Sequence, residues 1–230
     1  MGLRRSPISP EGNSGKYRGV PENWSGTFDP ICKGWCMKRK LVVVINGKGG
    51  VGKDTFCDFV SEKYSTLNIS TITPVKEIAR RYGWSGEKDK KSRKFLADLK
   101  RIFIEYNDLP NSYAFQEYKK FLEGDKEIMF VHIRECQQIR EFCQRVRKDA
   151  SNCREMRIEV TSLLIHRSGI DSSHEDFGND ADDHVEDYQY EYSCDNNGSL
   201  DEFRQASIEQ IDRMIADKFQ IGRASCRERV

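Results

Sequence analysis

The chain has 230 residues, 37% hydrophobic and 33% charged, with 38 Lys and Arg against 37 Asp and Glu for a formal net charge of +1. The first 36 and the last ten residues carry +2 each, which leaves the middle of the chain near −3. That balance gives no general basic field for nucleic acid, and no apolar stretch approaches the length of a membrane span.

Residues 1–36 are rich in Gly, Pro and Ser, without periodicity and without the apolar run of a secretory leader. They are expected to be a disordered extension or translated upstream sequence, with Met37 a candidate start. Cys32 and Cys36 make at most half of a zinc site, since no second pair at ligand spacing accompanies them. Cys57, Cys136, Cys143, Cys153 and Cys194 are scattered and read as reduced thiols of a cytoplasmic protein. A single domain over 37–220 is long enough to bury a real core.

Leu41 to Ile45 (LVVVI) is too continuously apolar for an amphipathic helix and reads as a strand buried on both faces. It runs into Gly47-Lys48-Gly49-Gly50-Val51-Gly52-Lys53, then Asp54, Thr55 and a helical pattern. Strand, glycine loop and helix in that order mark a nucleotide phosphate site. The glycines let backbone N–H groups converge on phosphate oxygens, the helix N-terminus adds its positive end, and Lys53 reaches the β- and γ-phosphates. The residue after the loop lysine is usually Ser or Thr, whose hydroxyl ligates Mg²⁺. Here it is Asp54, itself a hard ligand, followed by Thr55; either one can serve the metal.

Beyond the loop, Asp54 to Tyr64 is expected to be a helix packing Phe56, Phe59 and Val60. Asn68 to Thr73 reads as a strand and Val75 to Tyr82 as a helix opened by Pro74. Lys76, Arg80 and Arg81 project from that helix. Glu87 to Asn107 has Phe95, Leu96, Leu99, Ile102, Phe103 and Tyr106 at helical spacing, with Lys88, Lys90, Lys91, Arg93 and Lys94 near its start. Those cations form either a solvated face or an anion pocket. Arg93 is the choice for gripping an acceptor phosphate in a bidentate fork.

Asn111 to Leu122 is a further helix. Glu127 to Ile133 is a buried strand ending in Arg134-Glu135, where charged residues stand at the ligand edge of a parallel sheet. Arg134 is read as phosphate-facing, Glu135 as its orienting partner or as support for a metal, and His132 as packing. Cys136 to Lys148 is a helix, and Arg157 to Ile165 a strand leading into His166-Arg167. Repeated strand–helix–strand units predict an α/β fold, a parallel β-sheet flanked by helices in three layers.

Asp171 to Asp195 holds ten carboxylates and no Lys or Arg. It reads as an acidic loop or lid contacting arginines, with Asp182-Asp183 a weaker metal candidate. The alternating Tyr188, Tyr190 and Tyr192 predict a strand in its second half. Asn196-Asn197-Gly198 is a turn, Ser199 an N-cap, and Leu200 to Phe219 a closing helix. Ile221 to Val230 resembles the conceptual translation of a sequencing adapter rather than a basic tail, and it is set aside together with Cys226.

GKGGVGKDT, TPVKEIARRYGW, KDKKSRKFLADLK, FVHIRE and DYQYEYSCDNNGSLDEF together resemble the nucleoside and deoxynucleoside monophosphate kinases of the P-loop NTPase class. The resemblance spans most of Met37 to Ala216. It implies ATP and Mg²⁺ as cofactors, a helical acceptor-binding insert near Pro74 to Leu122, and a mobile lid. It also implies Lys53, Arg134 and Arg167 as catalytic charges, with Lys76, Arg93 and Arg134 holding a small phosphorylated acceptor. Kinase lids usually carry several arginines, whereas the segment after Arg167 is acidic. By the same resemblance the protein is a monomer or homodimer with no membrane or nucleic-acid partner. The Lys48 position also resembles the deviant loop of partition-type ATPases, which dimerise on ATP. A nucleotide-binding module without transferase activity is a third reading.

Overall fold

A computed structural model describes residues 38–87, 89–169 and 185–219. Five strands, β1 (Lys38–Asn46), β2 (Thr66–Ser70), β3 (Ile128–His132), β4 (Met156–His166) and β5 (Tyr192–Asp195), form one sheet in the order β2-β3-β1-β4-β5. Each neighbouring pair is parallel. The helices are α1 (Lys53–Ser61), α2 (Thr73–Arg81), α3 (Lys90–Asn107), α4 (Leu109–Glu123), α5 (Cys136–Ala150) and α6 (Leu200–Phe219).

The continuous apolar run of β1 is divided by the two-residue period of a strand. Leu41, Val43 and Ile45 face one layer with Phe56, Phe59 and Val60 of α1 and Phe203, Ile211 and Met214 of α6. Val42 and Val44 face the other, with Ala114, Tyr118 and Phe121 of α4 and Ile139, Phe142 and Val146 of α5. Burying both faces of the central strand is what a parallel sheet covered by helices requires. The fold is therefore the expected three-layer α/β arrangement, a parallel sheet flanked by helices.

Connections leave β1 toward β2 and β4 toward β5, on opposite sides of the sheet. The crevice at the C-terminal ends of β1 and β4 is thus a topological switch point, where open α/β sheets bind ligands. Helices α2 to α4 form a long helical excursion between β2 and β3, over the range of the predicted insert. Its helices carry local start signals: Pro74 and Pro110 sit in first turns, and the Asp89 carboxylate accepts from the Ser92 N–H at 2.7 Å.

Two expectations need correction. The strand predicted across Tyr188 to Tyr192 begins only at Tyr192. Tyr188 and Tyr190 instead meet ring edge to face, centroids 4.9 Å apart. The alternation came from a packed aromatic pair rather than from a pleat. The first strand also starts before Leu41 and takes in Lys40, which is buried and donates to the carbonyls of Phe121 (3.2 Å), Gly124 (2.9 Å) and Lys126 (2.5 Å). Its ammonium closes the C-terminal end of α4, where unpaired carbonyls and the helix dipole favour a cation. The readings for residues 1–37, Lys88, 170–184 (Asp182 and Asp183 included) and 220–230 lie outside the described residues. Cys57, Cys143 and Cys194 are buried, and Cys136 and Cys153 are half-buried; none of the five is in a disulfide.

Candidate nucleotide and acceptor site

The loop from Gly47 to Lys53 follows β1 and turns into α1. Gly47 has φ 146°, and a Cβ there would strike the Ile165 carbonyl oxygen of β4 and come within 2.9 Å of a Val51 methyl. Gly52 has φ 98° and lies under Asn196, whose amide nitrogen would stand 2.6 Å from an added Cβ. Both positions demand glycine by backbone conformation and by space. Gly52 is also the N-cap of α1 and offers no side chain to the first-turn N–H groups. Those donors and the helix dipole are left for an anion.

Lys53 bends back over this loop and donates to the carbonyls of Gly47 (2.5 Å) and Lys48 (2.7 Å). An ammonium held by neutral carbonyls exchanges readily for phosphate oxygens, because charge-assisted hydrogen bonds are roughly twice as strong. Lys48 reaches the other way and pairs with Glu186 at 3.5 Å, in the single turn of 3₁₀ helix at Val185–Asp187. Asp54 occupies the first turn of α1 with its side chain 92% exposed and stands 3.9 Å from the His132 ring.

His132 ends β3 and also approaches the Cys57 sulfur at 3.9 Å. Burial lowers its pKa to about 4; Asp54 opposes the shift while Lys53 and Arg134 add to it. The imidazole is therefore neutral at pH 7. Burial likewise pushes the Cys57 thiol far up, so it is not a nucleophile.

Arg134 and Glu135 follow β3 at the same sheet edge, as predicted, and both are half-buried. Glu135 binds Lys100 of α3, whose ammonium lies 2.6 Å from the carboxylate with the residue only 6% exposed. Burial pulls the Lys100 pKa down, Glu135 supports the charge and Arg134 opposes it. Lys100 is a functional candidate that the sequence reading passed over. It lies on the same face of α3 as Arg93, seven residues away, or two helical turns. Arg93 and Lys76 are half-buried on α3 and α2, which pack together.

Beyond β4, His166 and Arg167 are exposed beside a cleft of about 120 Å³ lined also by Lys48, Val51, Ile165 and Glu186. The turn after β5 bonds to residues on both sides of it. Asn196 donates from its backbone to the His166 carbonyl (2.7 Å) and from its side chain to the Val51 carbonyl (2.9 Å). The Asn197 side-chain oxygen Oδ1 accepts from the Ser168 N–H at 2.6 Å. What sequence showed only as a turn is a brace between the glycine loop and β4.

These features fit a nucleotide: a cradle that a Cβ would fill, an uncapped helix start and a lysine at its mouth. They also fit Mg²⁺ in a limited way. Among the described residues no group of three or more His, Cys, Asp or Glu gathers, so a metal would rest on Asp54, Thr55 and the nucleotide's own oxygens.

No family model matches the chain, and no curated protein does. Among solved structures it is similar to TT1252 from Thermus thermophilus, with 15% identity over 77% of this chain and 99% of that one and a TM-score of 0.45. It is also similar to a gluconokinase from Sinorhizobium meliloti 1021, at 12% identity over 81% of this chain and 98% of that one, TM-score 0.42. APS kinase CysC from Mycobacterium tuberculosis gives 16% identity, 76% and 98% coverage and a TM-score of 0.38. These are distant likenesses of chain path; the chemistry rests on the residues above.

Proposed function

We propose that this chain is an ATP-dependent phosphotransferase acting on a small phosphorylated acceptor, a nucleoside or deoxynucleoside monophosphate. The observation that carries the reading is the Lys53 ammonium folded onto the carbonyls of Gly47 and Lys48 over a glycine cradle at the switch point of the sheet. An acceptor phosphate oxygen attacks the γ-phosphorus in line, the bond to the β–γ bridging oxygen breaks, and ADP leaves. Catalysis then consists of positioning and charge. The acceptor is already anionic, so no general base is needed. Loop N–H groups and Lys53 hold the transferred group, and Arg134 and Arg167 meet the charge that develops. Lys76 and Arg93 hold the acceptor. Asp54 and Thr55 would hold Mg²⁺, which would supply neutralisation of phosphate charge.

Lys48 paired with Glu186 of its own chain supports this reading over a partition-type ATPase, in which the early lysine crosses to a second copy. The test is ADP release from Mg-ATP by the full chain, with a panel of nucleoside and deoxynucleoside monophosphates. Stimulation by one or a few acceptors is expected. ATP binding without stimulation by any acceptor would overturn the assignment in favour of a silent binding module, and ATP-dependent dimerisation on sizing would favour the partition-type ATPase.

A further inference from the structure

We propose that Asn46 and Tyr190 are a positioning pair that fixes the phosphate loop against Arg134, a role that rests on the phosphotransferase reading for its catalytic consequence. Asn46 is the last residue of β1 and is fully buried. Its side-chain oxygen accepts from the Gly47 N–H at 2.8 Å, so it sets the first peptide of the loop. Its amide nitrogen donates to the Arg134 carbonyl at 3.1 Å and to the Tyr190 hydroxyl at 2.7 Å. The Tyr190 hydroxyl donates its own hydrogen bond to the Val185 carbonyl at 2.9 Å. Glu186, next in the chain, returns to the loop through Lys48. A ring of contacts thus runs from Gly47 through Asn46, Tyr190, Val185, Glu186 and Lys48 back to the loop, with Arg134 attached to it.

Only a carboxamide serves at position 46, because one planar group must both accept from Gly47 and donate twice. Aspartate would keep the acceptor and lose both donors; leucine would lose all three bonds. Tyr190 remains a phenol because burial raises its pKa. On its other side the Arg134–Glu135 turn is held by Lys100 on Glu135. The turn carrying the catalytic arginine is therefore gripped from the donor side by Asn46 and from the insert by Lys100. Phosphoryl transfer depends on such spacing, since a displacement of about 1 Å can reduce rate roughly 100-fold.

The test uses the full chain and Tyr190→Phe, which keeps the ring and removes the hydroxyl. Amide hydrogen exchange is followed at residues 47–53 and 133–136 with and without Mg-ATP. In the wild type both segments gain protection. In Tyr190→Phe the loop gains protection while 133–136 gains much less. Where turnover is measurable, kcat is expected to fall about 10-fold with the KM for ATP within about twofold, a split that mere destabilisation does not produce. Should Tyr190→Phe fail to fold, Glu186→Gln, at an exposed position, cuts the same ring at its ion pair and should weaken the coupling in part. Unchanged coupling in the folded variant overturns the inference even if the enzyme turns over. Coupling in a wild type that phosphorylates no acceptor overturns the phosphotransferase reading and leaves the positioning pair standing. A wild type with no protection at 47–53 removes both.

Discussion

The two sides of the crevice, proposed above to take donor and acceptor, are held in different ways. Around the loop, most of the described hydrogen bonds end on peptide and carboxamide groups: the Gly47 N–H, the Asn46 and Asn196 amides, and the carbonyls that receive Lys53. Around the insert, buried charge does the holding. Lys100 is pinned to Glu135 beneath α3, and Lys40 caps α4 from inside the sheet. A phosphate oxygen entering the loop competes with the two carbonyls that hold Lys53, while the exposed Lys48–Glu186 ion pair stands at the rim. An insert fixed by buried ions gives a rigid wall, at the cost of sensitivity to losing either partner.

The largest expected effect separates activity from stability on the donor side. Lys53→Ala should reduce acceptor-stimulated ADP release by roughly 100- to 1,000-fold, the scale of removing one stabilising charge from a transition state. Its melting temperature should stay close to the wild type, because the Lys53 side chain lies over the loop rather than in either apolar core. An unchanged rate would exclude the loop as the catalytic site.

Next comes a stability effect on the acceptor side. Lys100→Met leaves Glu135 partly buried without its cation and should cost about 1–3 kcal/mol in urea unfolding, below the figure for a fully buried pair because Glu135 is partly solvated. No loss would place the pair among neutral surface contacts and erase the contrast between the two sides.

The seam between the sides should be sensitive to acid through His132. The unfolded imidazole takes a proton below about pH 6.5 and the folded one only below about 4. Between those values the unfolded state binds more protons, so stability falls as pH falls and the loss levels off below about pH 4. The full span is on the order of 3 kcal/mol. His132→Asn should flatten that part of the pH profile, measured by urea unfolding at pH 7, 6 and 5; a slope unchanged from wild type would assign it to other groups.

The smallest effect lies away from both sides. Ser199 and Glu202 form a capping box at the start of α6, with Ser199 N–H donating to Glu202 at 2.7 Å and Glu202 N–H to the Ser199 hydroxyl at 3.3 Å. Ser199→Ala should cost about 1 kcal/mol of stability and leave the KM for ATP unchanged.

How much of this was legible in the sequence follows from the range of each interaction. The loop, its strand and its helix were readable because glycine conformation, the buried run of β1 and the first turn of α1 are local. Helix α6 and its Ser199 cap were readable for the same reason. The order of the strands could not be read, but the strand–helix alternation narrowed it to a parallel sheet. Asn46, Lys100 and Asn196 were not legible as site residues. Their partners lie 144 residues away at Tyr190, 35 away at Glu135 and 145 away at Val51. Nothing near Asn46 in the chain announces that its amide will meet a tyrosine from the far side of the sheet. Glu135 was placed correctly at the strand end, but the cation that holds it comes from α3. The Tyr188–Tyr192 alternation misled because two rings packing on each other mimic the period of a strand.

The most direct measurement follows the terminal phosphoryl group of labelled Mg-ATP incubated with the full chain and the acceptor that stimulates ADP release most. Label appearing on the acceptor in step with ADP is the predicted result. Label appearing only as inorganic phosphate would contradict a phosphotransferase and make the crevice a site of ATP hydrolysis.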